Sequence, residues 1–248
     1  MKILGVIPAR YASTRFPGKP LVNIGGNSMV MRVYEQARMA SGLTDVVVAT
    51  DDQRIYDHVI GAGGKAVMTS PNHPSGTDRI IEVAGILPDF GGYINIQGDE
   101  PFIDPQQIDQ VVAIMQGRRE ACVATLVKRI TDHALLHNPN VVKAVFATDG
   151  RAIYFSRSPI PYMRDAAIEE AWQQERGYFK HIGIYGYANG ALREIAGMSR
   201  GLLEQAESLE QLRWLENGLP IYIGVTELES QAVDTPEDLE LLKPYLPK

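Results

Sequence analysis

The feature that most constrains the fold of this chain is an alternation of short apolar runs with segments of helical spacing. The apolar runs are KILGVIPA, TDVVVAT, KAVMT, YINIQ and ACVATLVK. Strands that alternate with amphipathic helices are typical of βαβ units. The alternation therefore predicts an α/β fold with a mostly parallel sheet and helices on both faces. At 248 residues, we expect a single domain over 1–248.

Two helices are marked by local signals. An apolar stripe of Met29, Val30, Val33, Ala37 and Ala40 predicts the first one. The sequence DPQQ predicts another after Asp104, because it supplies an N-cap, a proline at the first helical position and a glutamine at the third.

The pattern changes after residue 140. Asp149 and Gly150 lie between the β-rich runs VVKAVFAT and RAIYFSR, which predicts a hairpin. A further strand, HIGIYGYA, follows a segment over 157–179 that is rich in proline, charge and aromatic residues. We therefore expect a smaller, mixed β-rich excursion at about 130–190.

The last third of the chain predicts a helix, a short strand and another helix. The segment ESLEQLRWLENG, residues 207–218, has inward leucines and ends at Gly218. Its spacing alone would place Glu207, Glu210 and Gln211 on a solvated face. The strand is PIYIGV, and the terminal helix begins at TPED with Thr235 as its N-cap.

Charge and composition exclude some classes of protein. A formal net charge of −6 argues against a general nucleic-acid binder, which needs spread positive charge. The sequence has no apolar run near the ~18 residues of a membrane span and no signal-peptide pattern, so we expect a cytoplasmic protein. The single cysteine, Cys122, lies in an apolar run that predicts a buried thiol.

The loop PARYASTRFPGK, residues 8–19, concentrates positive charge after the first predicted strand. It holds Arg10, Arg15 and Lys19, and no acid occurs before Glu35. Ligands of open α/β sheets bind at the carboxyl ends of strands. Two guanidinium groups, an ammonium and N–H groups made accessible by Gly18 would match a polyphosphate, although a solubilising loop is the alternative. The patterns G-x-x-x-x-G-K-[ST] and G-x-G-x-x-G are both absent.

Two acidic segments could face that loop. In NIQGDEP, residues 95–101, Asp99 and Glu100 follow a strand and are not needed as helix caps. A carboxylate beside a polyphosphate suggests Mg²⁺ between them, so Asp99 is a candidate ligand. Asp234, in AVDTPEDL, precedes the predicted cap and is a second candidate. A surface turn is the alternative for each.

Two polar clusters remain. SPNHPSGTDR, residues 70–79, offers hydroxyl groups and Arg79 to a base or to a second acidic substrate. His181 and Tyr185 are separated by an even number of residues, so on one strand they share a face.

Taken together, these segments resemble the cytidylyltransferases that activate sugar acids, most closely the 3-deoxy-manno-octulosonate (Kdo) cytidylyltransferase, or CMP-Kdo synthetase, family. The matching segments occur in order: IPARYASTRFPGKPL, VATDD, HPSGTDR, NIQGDEPFI, NPNVVKAV, YFSRSPIPY, KHIGIYGY, ESLEQLR and AVDTPEDL. They cover nearly the whole chain. The resemblance implies a Rossmann-like nucleotidyltransferase sheet.

The resemblance also implies a reaction and a set of site residues. The anomeric hydroxyl of the sugar acid would attack the α-phosphorus of CTP, releasing pyrophosphate, with Mg²⁺ as cofactor and a homodimer as the assembly. The implied catalytic residues are Arg15, Lys19, Asp99 and Asp234, the last two as Mg²⁺ ligands. The implied nucleotide-binding residues are Pro8, Ala9, Arg10, Arg15, Lys19, His73, Ser75 and Gly76. The implied sugar-acid residues are Arg79, Gln97, Arg157, His181, Tyr185, Glu210 and Gln211.

Three alternatives stay open at the level of sequence. The acceptor could be an amino-substituted Kdo or another related sugar acid. The GDE segment could hold the metal and diphosphate of a nucleotide-sugar glycosyltransferase. A nucleotide sensor without turnover could carry the same basic loop.

Overall fold

One mixed sheet forms the centre of the protein. The computed structural model describes residues 1–12, 16–117, 122–164 and 177–245. The strands are β1 (Ile3–Ala9), β2 (Asn23–Ile24), β3 (Asn27–Ser28), β4 (Asp45–Thr50), β5 (Ala66–Met68), β6 (Gly92–Asn95), β7 (Val123–Ile130), β8 (Lys143–Phe146), β9 (Ala152–Ser156), β10 (Tyr178–Ala188) and β11 (Ile221–Val225). The main path of the sheet runs β11-β7-β10-β6-β1-β4-β5.

The helices cover both faces of this sheet, as the sequence predicts. They are α1 (Met29–Arg38), α2 (Gln53–Gly61), α3 (Gly76–Ile86), α4 (Pro105–Gln116), α5 (His133–His137), α6 (Asn189–Ala196), α7 (Leu202–Glu207) and α8 (Gln211–Glu216). One apolar cluster packs α1, α2 and α4 on one face, and a second packs α3, α6 and α8 on the other. In the described part of the chain, no helix is both long and apolar enough to span a membrane.

Strand β10 reverses the direction of the sheet. Its pairings with β6 and β7 are antiparallel, whereas β6-β1, β1-β4, β4-β5 and β7-β11 are parallel. The predicted hairpin is confirmed as β8-β9, with Gly150 at a φ of +84°, and it joins β10 through Lys180 and Lys143. The sheet is therefore mostly parallel, with a β-rich addition at β10.

Local helix signals are largely confirmed. Asp104 caps α4 by accepting a hydrogen bond from the Gln106 N–H, and Ser28 caps α1. Cys122 is buried.

The predicted helix over 207–218 is wrong in its extent. The chain breaks into α7 and α8 at Ser208, which adopts a left-handed conformation with a φ of +51°. The Ser208 carbonyl and the Glu207 carbonyl both accept hydrogen bonds from the Arg157 guanidinium. These long-range bonds hold a turn that the helical spacing does not reveal.

The terminal helix also differs from the prediction. Pro236–Tyr245 is 3₁₀-helical, and the Asp238 carboxylate accepts hydrogen bonds from the N–H groups of Asp234 and Thr235. These two bonds lower the pKa of Asp238. Asp238 therefore orders the start of this helix together with Thr235, whose side chain also bonds to the Asp238 carboxylate.

Candidate active site

A cleft opens where β1 and β6 end and α3 begins. Its volume is about 340 Å³. It is lined by Pro8, Arg10, Ala12, Lys19, Pro20, Pro74, Ser75, Gly76, Arg79, Gln97, Gly98 and Asp99. The basic loop, the 70–79 cluster and the GDE segment therefore meet at one edge of the sheet.

The Lys19 ammonium lies between the two candidate metal ligands. Its Nζ is 3.1 Å from Asp99 Oδ2 and 3.5 Å from Asp234 Oδ1, and it donates a 2.8 Å hydrogen bond to the Val233 carbonyl. The Val233 N–H donates to the Asp99 carbonyl at 2.9 Å, which joins the two acidic segments. The structure thus brings Asp99 and Asp234 to one cation.

Gly18 shapes the turn that precedes Lys19. Its N–H is not available to a ligand, because it donates to the Tyr11 carbonyl at 3.0 Å. Its φ of +73° instead lets the chain turn into a short 3₁₀ helix, Lys19–Leu21, with Pro20 buried. Gly18 therefore helps to place the Lys19 side chain.

The donor set at this position suits Mg²⁺. Asp99 and Asp234 supply carboxylate oxygens, which Mg²⁺ prefers, and they already converge on a positive charge. Within the described ranges, no group of three or more His, Cys, Asp or Glu side chains is placed to hold a metal. Two protein carboxylates leave room for waters and phosphate oxygens, as is usual for Mg²⁺.

Two arginines add positive charge to the cleft. Arg10 Nη2 donates to the His73 carbonyl. Arg79 is fully buried; it donates to Thr69 Oγ1 and, at 3.1 Å, to Asp51 Oδ2. Burial lowers the pKa of Arg79, and Asp51 opposes that effect. Arg79 Nε makes no hydrogen bond to the described residues.

The start of α3 carries the predicted nucleotide-side residues. Ser75 Oγ caps the helix by accepting from the Asp78 N–H at 3.2 Å. The His73 ring bonds to Glu82, whose carboxylate also accepts from the Ser70 N–H at 2.8 Å. Pro8 lines the cleft opposite Gly76, whereas Ala9 is buried.

His181 and Tyr185 lie on β10, the strand that the cleft residue Gln97 contacts through Gly183. Their ring centroids are 5.0 Å apart, which confirms the shared face. Burial lowers the pKa of His181 to about 3 and raises the pKa of Tyr185 well above its ordinary value. The imidazole is therefore neutral at physiological pH.

Glu210 is tied to the nucleotide side of the cleft. Its carboxylate accepts hydrogen bonds from Ser75 Oγ at 3.1 Å and from Thr77 Oγ1 at 2.7 Å. Burial raises the pKa of Glu210. Gln211 is also buried.

The solvated-face prediction for Glu207, Glu210 and Gln211 is therefore wrong. Glu207 accepts from Ser156 Oγ at 2.6 Å and from the Arg157 N–H at 2.9 Å. The turn at Ser208 directs both glutamates toward other elements, whereas one continuous helix would leave them in solvent.

Arg157 lies apart from the cleft lining. Arg157 uses its guanidinium on backbone carbonyls, including a 2.9 Å bond to Pro139 and a 2.7 Å bond to Glu207. Arg15 lies outside the described residues.

Sequence reasoning missed several residues that support the site. They are Asp51, Thr77, Glu82, Thr125, Glu204 and Arg213. The position of Thr77 two residues after the Ser75 cap is a usable signal, since it places the hydroxyl in the first helical turn. The others become visible only through long-range contacts.

Comparisons with known proteins identify the family of this chain. A family model described as cytidylyltransferase matches residues 4–225. The 3-deoxy-manno-octulosonate cytidylyltransferase of Cytophaga hutchinsonii is 50% identical over 240 residues, covering 96% of this chain and 95% of that protein. The enzyme of the same name from Bacteroides thetaiotaomicron is 50% identical over 250 residues, covering 99% and 98%.

Solved structures show the same relationship. The structure of CMP:2-keto-3-deoxy-manno-octonic acid synthetase complexed with CTP matches with a TM-score of 0.91 and 42% identity, covering 99% of this chain and 98% of that one. A cytidylyltransferase from Leptospira borgpetersenii shares the fold, with a TM-score of 0.65 at 18% identity. This chain has a nucleotidyltransferase fold and belongs to the cytidylyltransferase family.

Proposed function

We propose that the protein transfers the cytidylyl group of CTP to the anomeric hydroxyl of Kdo, giving CMP-Kdo and pyrophosphate for lipopolysaccharide biosynthesis. The observation that carries this proposal is the convergence of Lys19, Asp99 and Asp234 at the rim of a cleft that also holds Arg10 and Arg79. Relatives at 50% identity over nearly the full chain are named for this reaction.

Catalysis in this reaction depends mainly on alignment and on charge neutralisation. Attack on the α-phosphorus forms one P–O bond and breaks another, and negative charge grows on the departing pyrophosphate. Arg10 and Lys19 lie on the cleft wall where a triphosphate would be bound, and we assign Arg15 to the same role. Pro8, Ala9, His73, Ser75 and Gly76 then surround the cytosine.

Asp99 and Asp234 are proposed to hold Mg²⁺. When bound, the ion supplies a Lewis acid that lowers the pKa of the attacking hydroxyl and neutralises phosphate charge. The protein residues keep the two carboxylates together through the Val233–Asp99 backbone bond.

Arg79, Gln97, Arg157, His181, Tyr185, Glu210 and Gln211 are proposed to surround the sugar acid. His181 would act there as a neutral hydrogen-bonding group, because with a pKa of about 3 it is too weak a base to take the hydroxyl proton near pH 7. Gln97 connects the cleft to β10 by donating to the Gly183 carbonyl at 2.9 Å.

The test is pyrophosphate release from CTP and Kdo in a coupled assay. We expect Asp99→Asn and Asp234→Asn each to lower kcat by about a hundredfold or more, the scale of losing a key electrostatic group. Asp57→Asn is the control, because Asp57 is exposed on α2, where its carboxylate accepts a 2.7 Å hydrogen bond from Gln53 on the same helix. Undiminished turnover in both site variants would contradict the proposal.

Substrate profiling, together with a measurement of CTP binding, separates the alternatives. Faster turnover of an amino-substituted Kdo would reassign the acceptor. Consumption of a CMP- or UDP-sugar without pyrophosphate release from CTP would identify a glycosyltransferase. CTP binding without turnover would identify a sensor.

A homodimer in the cytoplasm, where CTP is available, completes the proposal. An apolar groove of about 630 Å³ lies beside the β8-β9 hairpin, lined by residues that include Phe146, Ile160, Pro161 and Phe179. Tyr162, next to this groove, is 87% exposed. Exposed aromatic and apolar groups of this kind are typical of interfaces between subunits.

A further inference from the structure

Strand β10 contains a bulge directly beside the cleft. Ile182 pairs with Leu126 and Tyr185 pairs with Thr125, so two additional residues of β10 stand against one step of β7. An excess of two residues preserves the alternation of faces, and for that reason His181 and Tyr185 still point to the same side.

The fully buried Thr125 side chain stabilises this bulge by hydrogen bonding. Its Oγ1 is 2.8 Å from the Ile184 carbonyl, 3.3 Å from the Ile182 carbonyl and 2.8 Å from His181 Nε2. Three polar groups therefore surround one hydroxyl.

The number of protons available decides whether Thr125 or His181 is the donor in their contact. A hydroxyl has one proton and two lone pairs, and a carbonyl can only accept. If Thr125 donated to His181, both carbonyl oxygens would face hydroxyl lone pairs at a buried position. If the Thr125 hydroxyl donates to the nearer carbonyl, that of Ile184, its lone pairs are free to accept a hydrogen bond from the His181 Nε2–H. Both contacts are then favourable at this buried position.

The opposite nitrogen of His181 is then a lone-pair acceptor. Among the described residues, Nδ1 makes no hydrogen bond, and His181 as a whole is half-buried. The ring is held by Phe155, at 5.3 Å and nearly perpendicular, and by Tyr185 at 5.0 Å. Gln97, which lines the cleft, donates to Gly183 within the bulge.

We propose that Thr125 is a positioning residue that fixes His181 as the Nε2–H tautomer and presents Nδ1 as a hydrogen-bond acceptor to a hydroxyl group of the sugar acid. The ligand part of this inference rests on the proposed function, whereas the tautomer part does not. Thr125 acts only through His181 and the bulge.

The tautomer is tested by long-range ¹H–¹⁵N NMR of the full protein labelled at histidine, with His181→Asn used to assign its signals among the five histidines. We expect wild type and Thr125→Ser to show a protonated Nε2 and an unprotonated Nδ1. Thr125→Val, which has the same shape without the hydroxyl, is expected to show a mixture of tautomers. A protonated Nδ1 in the wild type overturns the proposal, whether or not Thr125→Val folds.

Kinetics test the ligand part. We expect Thr125→Val to raise KM for Kdo by about tenfold, the scale of one hydrogen bond, and to leave KM for CTP within about twofold. Thr125→Ser should restore the wild-type KM. Unchanged tautomer and KM in Thr125→Val overturn the proposal. Absence of wild-type turnover with CTP and Kdo would reject the proposed function instead, and the NMR result would still decide the tautomer.

Discussion

At the scale of single residues, Lys19 is an internal counterion for two aspartates. Its ammonium contacts Asp99 and Asp234, whose side chains are 28% and 45% exposed. A cation that enters this position must compete with the ammonium. Lys19 therefore belongs to both sites: its ammonium neutralises the proposed metal ligands and is proposed to bind the triphosphate.

We expect Lys19→Met to have two separable effects. Loss of the ammonium should lower kcat/KM by about a hundredfold, since a charge that stabilises the leaving group is removed. The two carboxylates would then repel each other, so Mg²⁺ should raise the Tm of this variant more than that of the wild type. Thermal melts with and without Mg²⁺ measure this difference.

Lys65→Met is the matched control, because Lys65 is an exposed lysine that pairs with Asp45 away from the cleft. The rise in Tm that Mg²⁺ causes in Lys65→Met should equal the rise in the wild type. Equal shifts in Lys19→Met and wild type would contradict the counterion role.

Glu210 gives a prediction about pH. Burial raises its pKa in the folded state, so its contribution to stability is present below the ordinary value of 4.5 and is lost as pH rises through the raised value. We expect Glu210→Gln to gain stability relative to wild type as pH rises from 4.5 through the raised pKa of Glu210. Urea unfolding across that range tests the trend, and a constant difference would refute it.

At the scale of elements, the α7-α8 pair is held by a buried ion pair. Arg213 donates two 2.7 Å hydrogen bonds to Glu204, whose exposed fraction is 4%. The hydrogen bond from Arg213 lowers the pKa of Glu204. This pair fixes α8 and hence the adjacent Glu210, which no helical periodicity specifies.

We expect Glu204→Ala to lower the free energy of unfolding by about 3 kcal/mol at pH 7, since it leaves the buried Arg213 with only a longer 3.6 Å contact to Glu210. The difference in unfolding free energy between Glu204→Ala and wild type should become smaller as pH falls below 4.5. The folded-state pKa of Glu204 is lowered, so the stability that its carboxylate contributes is lost as the group becomes protonated. Chemical denaturation of both proteins at pH 7 and at a pH below 4.5 measures the two differences.

Arg200→Ala removes a 3.3 Å contact to the same carboxylate from a side chain that is 72% exposed. Its cost should stay below about 1 kcal/mol, as is typical of surface pairs. Equal costs for the two variants would mean that burial does not set the strength of the pair.

At the scale of the whole molecule, the apolar groove beside β8-β9 predicts a dimer. We expect sedimentation of a dimer at micromolar concentration, and of a monomer for Tyr162→Asp, whose side chain is too exposed to affect the fold. A wild type that sediments only as a monomer would remove the homodimer from the proposal. Exposed Ile60→Asp, on α2, is the control and should remain dimeric.

The sequence by itself determined the features that depend on nearby residues. The strand and helix alternation, the Asp104 cap and the Asp149–Gly150 turn are all confirmed. Each depends on hydrogen bonds or dihedral preferences within a few residues, so the local sequence contains the necessary information. The two acidic segments were also identified, as candidates with surface turns as the alternative.

Only the tertiary structure decided which of these segments meet. Asp234 reaches Lys19 across 215 positions of sequence, and Glu210 reaches Thr77 across 133. The burial of Arg79 and the break at Ser208 likewise depend on partners that lie far along the chain. Such contacts form because packing of the sheet and helices brings distant strand ends to one edge, and residue spacing does not encode that distance.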